Sequence, residues 1–216
     1  MAINSALRNL AKKNQILIDI PDRSRKFHKR ATPLIGGVSI ILSVLISAEL
    51  YLDLNGLKGF VPTFTQHLIW SSIILVVLFL IDDFKSLTVY KRLSIQILLS
   101  TYMIIMTGVH IENLGNIFGF GLLNLGIFSI PFTIFCVVGM MNAFNMIDGI
   151  NGLCAGCGML ALLLIGFSSG LIHDSMLILI IGGMIGFLLF NLRIFGKKRG
   201  VFLGDHGSNL VGFLVA

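Results

Sequence analysis

An all-α, polytopic bundle of membrane-crossing helices is the fold predicted for this chain, on the grounds of composition, apolar run length and the sidedness of charge. Apolar residues make up 56% of the 216 residues and charged ones 12%, with a mean hydropathy of +0.94, well outside the range of soluble globular domains. A hydrocarbon core of about 30 Å takes about 20 residues of helix to cross. Six apolar runs serve as candidate spans, at 34–54, 68–81, 93–109, 125–144, 152–167 and 176–192. A seventh starts near Gly207 and stops at Ala216, roughly ten residues into a stretch that needs about 20. The expectation is six complete spans plus the start of a seventh, in a chain that is cut short.

Retained positive charge marks the cytoplasmic side of a membrane protein. Arg8, Lys12, Lys13, Arg23, Arg25, Lys26, Lys29 and Arg30 precede the first run. Lys85, Lys91 and Arg92 lie between the second and third, and Arg193, Lys197, Lys198 and Arg199 follow the sixth. Strict alternation of six spans places all of these on one side, 15 of the 16 basic residues, and leaves only Lys58 opposite. Residues 1–33 are basic and lack an apolar stretch of about 7–15 residues, so they read as a cytoplasmic segment and not a signal peptide. Residues 34–216 form the membrane domain. The surface so defined attracts anionic lipid head groups and phosphate-bearing ligands. Nothing in it calls for nucleic acid.

Several features read as structure alone. Cys136, Cys154 and Cys157 are odd in number and lie in or beside apolar runs, which suits packing better than a disulfide or metal framework. The spacings Gly152/Gly156 and Gly182/Gly186 predict close helix contacts inside the bundle, with a homodimer contact as the weaker reading. The Gly- and Asn-rich segment 110–126 predicts a small external hairpin or surface loop.

Chemistry concentrates in four cytoplasmic segments. In the first, the basic residues Arg25, Lys26, His28 and Lys29 precede Pro33 and the pair Gly36-Gly37, so phosphate-binding charge is followed by a point of close backbone approach. The second is the pair Asp82-Asp83 at the end of an apolar run, a costly place for carboxylates unless they are paired or bind a hard cation. In the third, Asn142, Asn145 and Asp148 recur at helical spacing before Gly149, Asn151 and Gly152, and buried amides of this kind need partners such as a polar ligand supplies. The fourth, Gly204-Asp205-His206-Gly207-Ser208, sets an acid between glycines at the start of a helix, where a phosphate or a metal is favoured.

In this order and on one side, these segments resemble the polyprenyl-phosphate N-acetylhexosamine-1-phosphate transferases, and within them the WecA-like branch, from about Pro21 to Ala216. The resemblance implies a multi-pass enzyme of the bacterial inner (plasma) membrane, with its catalytic loops in the cytoplasm. Such an enzyme transfers a sugar 1-phosphate from a UDP-sugar, here UDP-N-acetylglucosamine, to undecaprenyl phosphate. UMP is released, and cell-surface polysaccharide synthesis of the O-antigen, common-antigen or teichoic-acid type begins. It also implies Mg²⁺, with Mn²⁺ as a substitute, held by Asp205. Asp82, Asp83 and Asp148 are implied as catalytic acids, and Arg25, Lys26, His28, Lys29, Asn142, Asn145, Asn151 and Ser208 as substrate contacts. Asn151 departs from the pattern, since many relatives carry a second Asp there. Relative to the family the chain is expected to be truncated at both ends.

Two other readings compete. An MraY-like enzyme acting on UDP-N-acetylmuramoyl-pentapeptide uses the same acids. An anionic-lipid transporter or binding protein uses the same basic face, but it places acids at mid-membrane depth, whereas every candidate acid here lies at one boundary.

Overall fold

The computed structural model describes residues 1–20, 31–56, 61–117, 119 and 121–216, with Lys197 represented by its backbone. Each of the six apolar runs falls largely within one helix: α2 (Gly36–Leu54), α3 (Thr63–Lys85), α4 (Val89–Thr107), α5 (Ser129–Ile147), α6 (Leu153–Ser168) and α7 (Ser175–Asn191). An amino-terminal helix, α1 (Ala2–Asn14), precedes them, and α8 (Asp205–Val215) follows. Among the described residues, α2, α3 and the segment Gly126–Ile147 are long and apolar enough to cross a membrane. Helices α6 and α7 are apolar but span 16 and 17 residues. The first turn of α4 holds Lys91 and Arg92, because this helix begins inside the basic loop.

Local chemistry sets the helix boundaries. Pro62 precedes α3, where its missing N–H costs nothing. Asp174 caps α7 by accepting from the Leu177 amide at 2.9 Å. The segment 110–126 closes as the expected hairpin, through paired bonds between Leu114 and Leu123 and between Leu123 and Gly115.

Helix α8 is the axis of the bundle. Every residue from His206 to Phe213 is buried, and the helix packs on α5, α3, α6 and α2. The seventh run therefore contributes a centre and not an edge. Its approach to α5 is close enough that a Cβ on Gly212 would stand 2.6 Å from the Met141 Cα. Gly36 and Gly37 approach Leu203 and Gly207 equally closely, as the sequence suggested for the start of α2. The expected packing is met in part: a Cβ on Gly152 would stand 2.5 Å from Leu192 and one on Gly186 3.7 Å from the amino-terminal nitrogen, whereas Gly156 and Gly182 meet nothing within 4 Å among the described residues, and further tight contacts fall at Gly158, Gly207 and Gly212. Spacing alone does not say which face of an all-apolar helix turns inward.

Two short strands depart from a purely helical chain. β1 (Ile18–Asp19) pairs antiparallel with β2 (Thr32–Pro33), and Leu34 bridges Phe202 in parallel. Phe202 N–H donates to the Pro33 carbonyl at 2.8 Å, while Gly36 and Gly37 N–H donate to Phe202 and Leu203 at 3.0 and 3.2 Å. These bonds fasten the approach to α2 onto the approach to α8, so the two helices start side by side.

Candidate active site

Three carboxylates reach one cleft from three separate helix ends. Asp83 stands in the last turn of α3, Asp148 directly follows α5, and Asp205 opens α8. They line a cavity of about 360 Å³ together with Asp19, Asn151, Asn191, Phe202 and the loop around Gly204. Gly204 takes φ +79°, and a Cβ there would lie 3.0 Å from Asp83 Oδ2 and 2.6 Å from the His206 ring. A side chain is excluded on both counts.

The acids differ in their surroundings. Asp83 accepts from the Asp205 amide at 3.1 Å, from the His206 amide at 3.4 Å and from the His206 ring. Asp82 is 1% exposed, accepts from the Leu87 amide at 2.5 Å and forms an ion pair with Arg92 at 2.7 Å. The same guanidinium reaches Asp205 at 3.4 Å. Asp205 also takes a side-chain hydrogen bond from Asn145. Burial, reinforced by Asp83, nevertheless pushes the Asp205 carboxyl upward against the pull of Arg92. Burial, then the charges of Asp205 and Asp83, push the Asp148 carboxyl up to about 7.

Among the expected substrate contacts, Asn145 and Asn151 stand at the cleft. Asn142 turns elsewhere. Its amide nitrogen donates to Gln96 and to the Val138 carbonyl, both at 2.8 Å. Gln96 donates on to Asn209 at 2.8 Å, and Asn209 to the Asp205 carbonyl at 2.8 Å. This amide ladder ties α5, α4 and α8 together in the interior. Ser208 is buried and its hydroxyl bonds back to the carbonyls of Gly204 and Asp205, both at 3.2 Å. Arg25, Lys26, His28 and Lys29 lie outside the described residues.

Sequence reasoning passed over four site residues. Arg92 looked like one more topological charge, although its guanidinium bridges Asp82 and Asp205. Asn191 accepts from Gly152 N–H at 2.5 Å and donates to the Val201 carbonyl at 2.9 Å, bracing the α5–α6 turn against the segment that leads into α8. An Asn closing an otherwise apolar helix was the available signal. His206 sat unexplained inside a quoted segment, and Asp19 became visible only through the pairing of β1.

Among the described residues, no three His, Cys, Asp or Glu side chains are gathered tightly enough to hold a metal unaided. Mg²⁺ asks for less, since it keeps several waters and binds through one or two carboxylates plus substrate phosphates. The donor set is all oxygen. Burial first, and then repulsion from Asp205 and Asp83, raises Asp148, and a divalent cation relieves that repulsion, so the residues fit Mg²⁺.

Residues 65–216 match the family model described as glycosyl transferase family 4. The undecaprenyl-phosphate alpha-N-acetylglucosaminyl 1-phosphate transferase of Salmonella typhi is 32% identical over 213 residues, covering 95% of this chain and 56% of that protein. The protein of the same description from Escherichia coli K12 is 31% identical over 212 residues, covering 96% and 55%. A phospho-N-acetylmuramoyl-pentapeptide-transferase of Prochlorococcus marinus is 32% identical over 213 residues, covering 89% and 55%. The chain spans about half the length of the curated relatives it matches.

Proposed function

Because the chain belongs to glycosyl transferase family 4, we propose that it transfers N-acetylhexosamine 1-phosphate from a UDP-sugar to undecaprenyl phosphate and releases UMP. UDP-N-acetylglucosamine is the first donor to test, as the name shared by the Salmonella and Escherichia relatives suggests. The observation that carries the reading is the convergence of Asp83, Asp148 and Asp205 from three helix ends on one cleft. The product, a polyprenyl-diphospho-sugar, would open the synthesis of a cell-surface polysaccharide.

In this reaction an oxygen of the lipid phosphate bonds to the β-phosphorus of the donor, and the bridging oxygen leaves with UMP. Two anions must meet, so the main task is to neutralise charge and align the attacking oxygen with the leaving group. Asp205, with Asp83 and Asp148 beside it, would hold Mg²⁺ or Mn²⁺, which supplies charge neutralisation on the diphosphate when bound. Arg92 holds Asp82 and lends its remaining positive charge to the cleft. Both oxygens of Asp82 and of Asp83 already have partners, which favours direct attack by the lipid phosphate over a phospho-aspartate. Asn145 orients Asp205, and Asn151 faces the donor. The six runs would cross the bacterial inner membrane, with this end of the bundle in the cytoplasm.

The Prochlorococcus relative supports a second donor, UDP-N-acetylmuramoyl-pentapeptide. The test is a donor panel in membranes containing undecaprenyl phosphate, with and without EDTA. Product from UDP-N-acetylglucosamine that vanishes in chelator and returns with Mg²⁺ supports the reading. Product from the pentapeptide donor alone reassigns the substrate, and turnover undiminished in EDTA removes the metal.

A further inference from the structure

The imidazole of His206 is fully buried, yet only one of its two nitrogens has a partner. Nδ1 meets Oδ2 of Asp83, while Nε2 is enclosed with no acceptor or donor in reach among the described residues. The ring lies in a slot whose walls are glycines. A Cβ on Gly37 would stand 2.6 Å from Cδ2, and a Cβ on Gly204 would stand 2.6 Å from Cε1. Two backbone positions on different elements are thus kept bare around this one ring.

The hydrogen-bond network assigns the tautomer. A hydrogen on Nε2 would be a buried donor without an acceptor, whereas a hydrogen on Nδ1 points at a carboxylate oxygen. The other oxygen of Asp83 accepts from the Asp205 amide at 3.1 Å. With backbone donors on one side and the ring on the other, the carboxylate cannot swing about its own axis. The C-terminal turn of α3 is thereby tied to the first turn of α8, and Asp83 is set facing the cleft that it lines.

We propose that His206 is a positioning residue for the transfer reaction, acting through an Nδ1–H hydrogen bond that fixes the Asp83 carboxylate against the start of α8. The role rests on the reading of this cleft as the reaction site. A carboxylate held by a neighbouring donor keeps the orientation that the developing charge requires, and losing such a support typically costs about 10–100-fold in activity.

Side-chain geometry supplies an atom-specific test. The amide nitrogen of Asn stands one bond beyond Cγ, as Nδ1 of His does, whereas Leu has similar bulk at that position and no donor. In the full-length protein, His206→Asn should retain most of kcat for UDP-N-acetylglucosamine. His206→Leu should lose about 10–100-fold in kcat, with KM and membrane level matching those of the Asn variant. A merely structural role would move kcat and thermal stability together in both variants. Normal kcat in His206→Leu, or equal losses in the two variants, would overturn the proposal. A wild-type protein that makes no product from any UDP-sugar overturns the functional reading and with it the part of His206 in turnover. Histidine-selective 15N NMR, assigned with the Asn variant, tests the bond without activity: a ring protonated at Nδ1 supports it, and one protonated at Nε2 alone overturns it.

Discussion

Asp148 meets two opposed demands, since the charge that would suit it to the proposed cation site is what the cleft resists. Its carboxyl rises from 3.8 to about 7, through burial first and then the charges of Asp205 and Asp83. A folded-state carboxyl raised in this way keeps a proton that the unfolded chain has released. Stability without metal should therefore be greatest below the ordinary carboxylate value, fall as pH rises toward about 7, and level off above that. Thermal unfolding in detergent and EDTA should show that slope, and Asp148→Asn should flatten it, raise Tm near neutrality and abolish transfer. Asp205→Asn and Asp83→Asn should each lose about 10²–10⁴-fold in transfer at wild-type membrane levels, the scale of a metal or proton-handling contribution. Asn151→Asp should be far milder, because it removes none of the three acids of the cleft. At this scale the sequence displayed the acids themselves, as carboxylates at the ends of apolar runs. Which oxygen of Asp82 meets Arg92, and that His206 holds Asp83, depend on helices 122 or more residues apart in the case of Asp83 and α8, and no local pattern encodes them.

Helices α2 to α7 were legible because an apolar run of the right length has few alternatives to a helix. The central place of α8 was not, since a short run reads the same whether it ends up at the axis or at the rim. Its packing makes a sharp contrast between two glycines. Gly212→Ala drives a methyl toward the Met141 backbone and should cost about 1–3 kcal/mol, the usual scale of overpacking. Gly182→Ala enters open space and should leave Tm unchanged or slightly higher, because Ala favours helix. Matched thermal unfolding of the two variants checks the assignment, and equal losses would contradict the inward face given to α8. Asn142 illustrates the same gap in the other direction. Its spacing from Asn145 and Asp148 was visible, but the partner that draws it inward, Gln96, lies on another helix.

For the whole molecule, the proposal drawn from the distribution of Lys and Arg is that the ends of α3, α5 and α7 and the start of α8 share the cytoplasmic face. Cysteines placed at Lys85, Gly149 and Lys198 should resist an impermeant thiol reagent added to intact cells, whereas one at Asn116 should react. Labelling of any of the first three from outside would contradict the six-span arrangement. The proposed chemistry suits that layout, since a cleft facing the cytoplasm would meet the nucleotide donor while its helices reach the lipid. The most direct test uses UDP-N-acetylglucosamine labelled with 32P at the β-phosphate and membranes containing undecaprenyl phosphate. Transfer of a sugar 1-phosphate carries the label into a lipid diphosphate and leaves unlabelled UMP. Label that departs with the nucleotide as UDP would show ordinary glycosyl transfer and contradict the account.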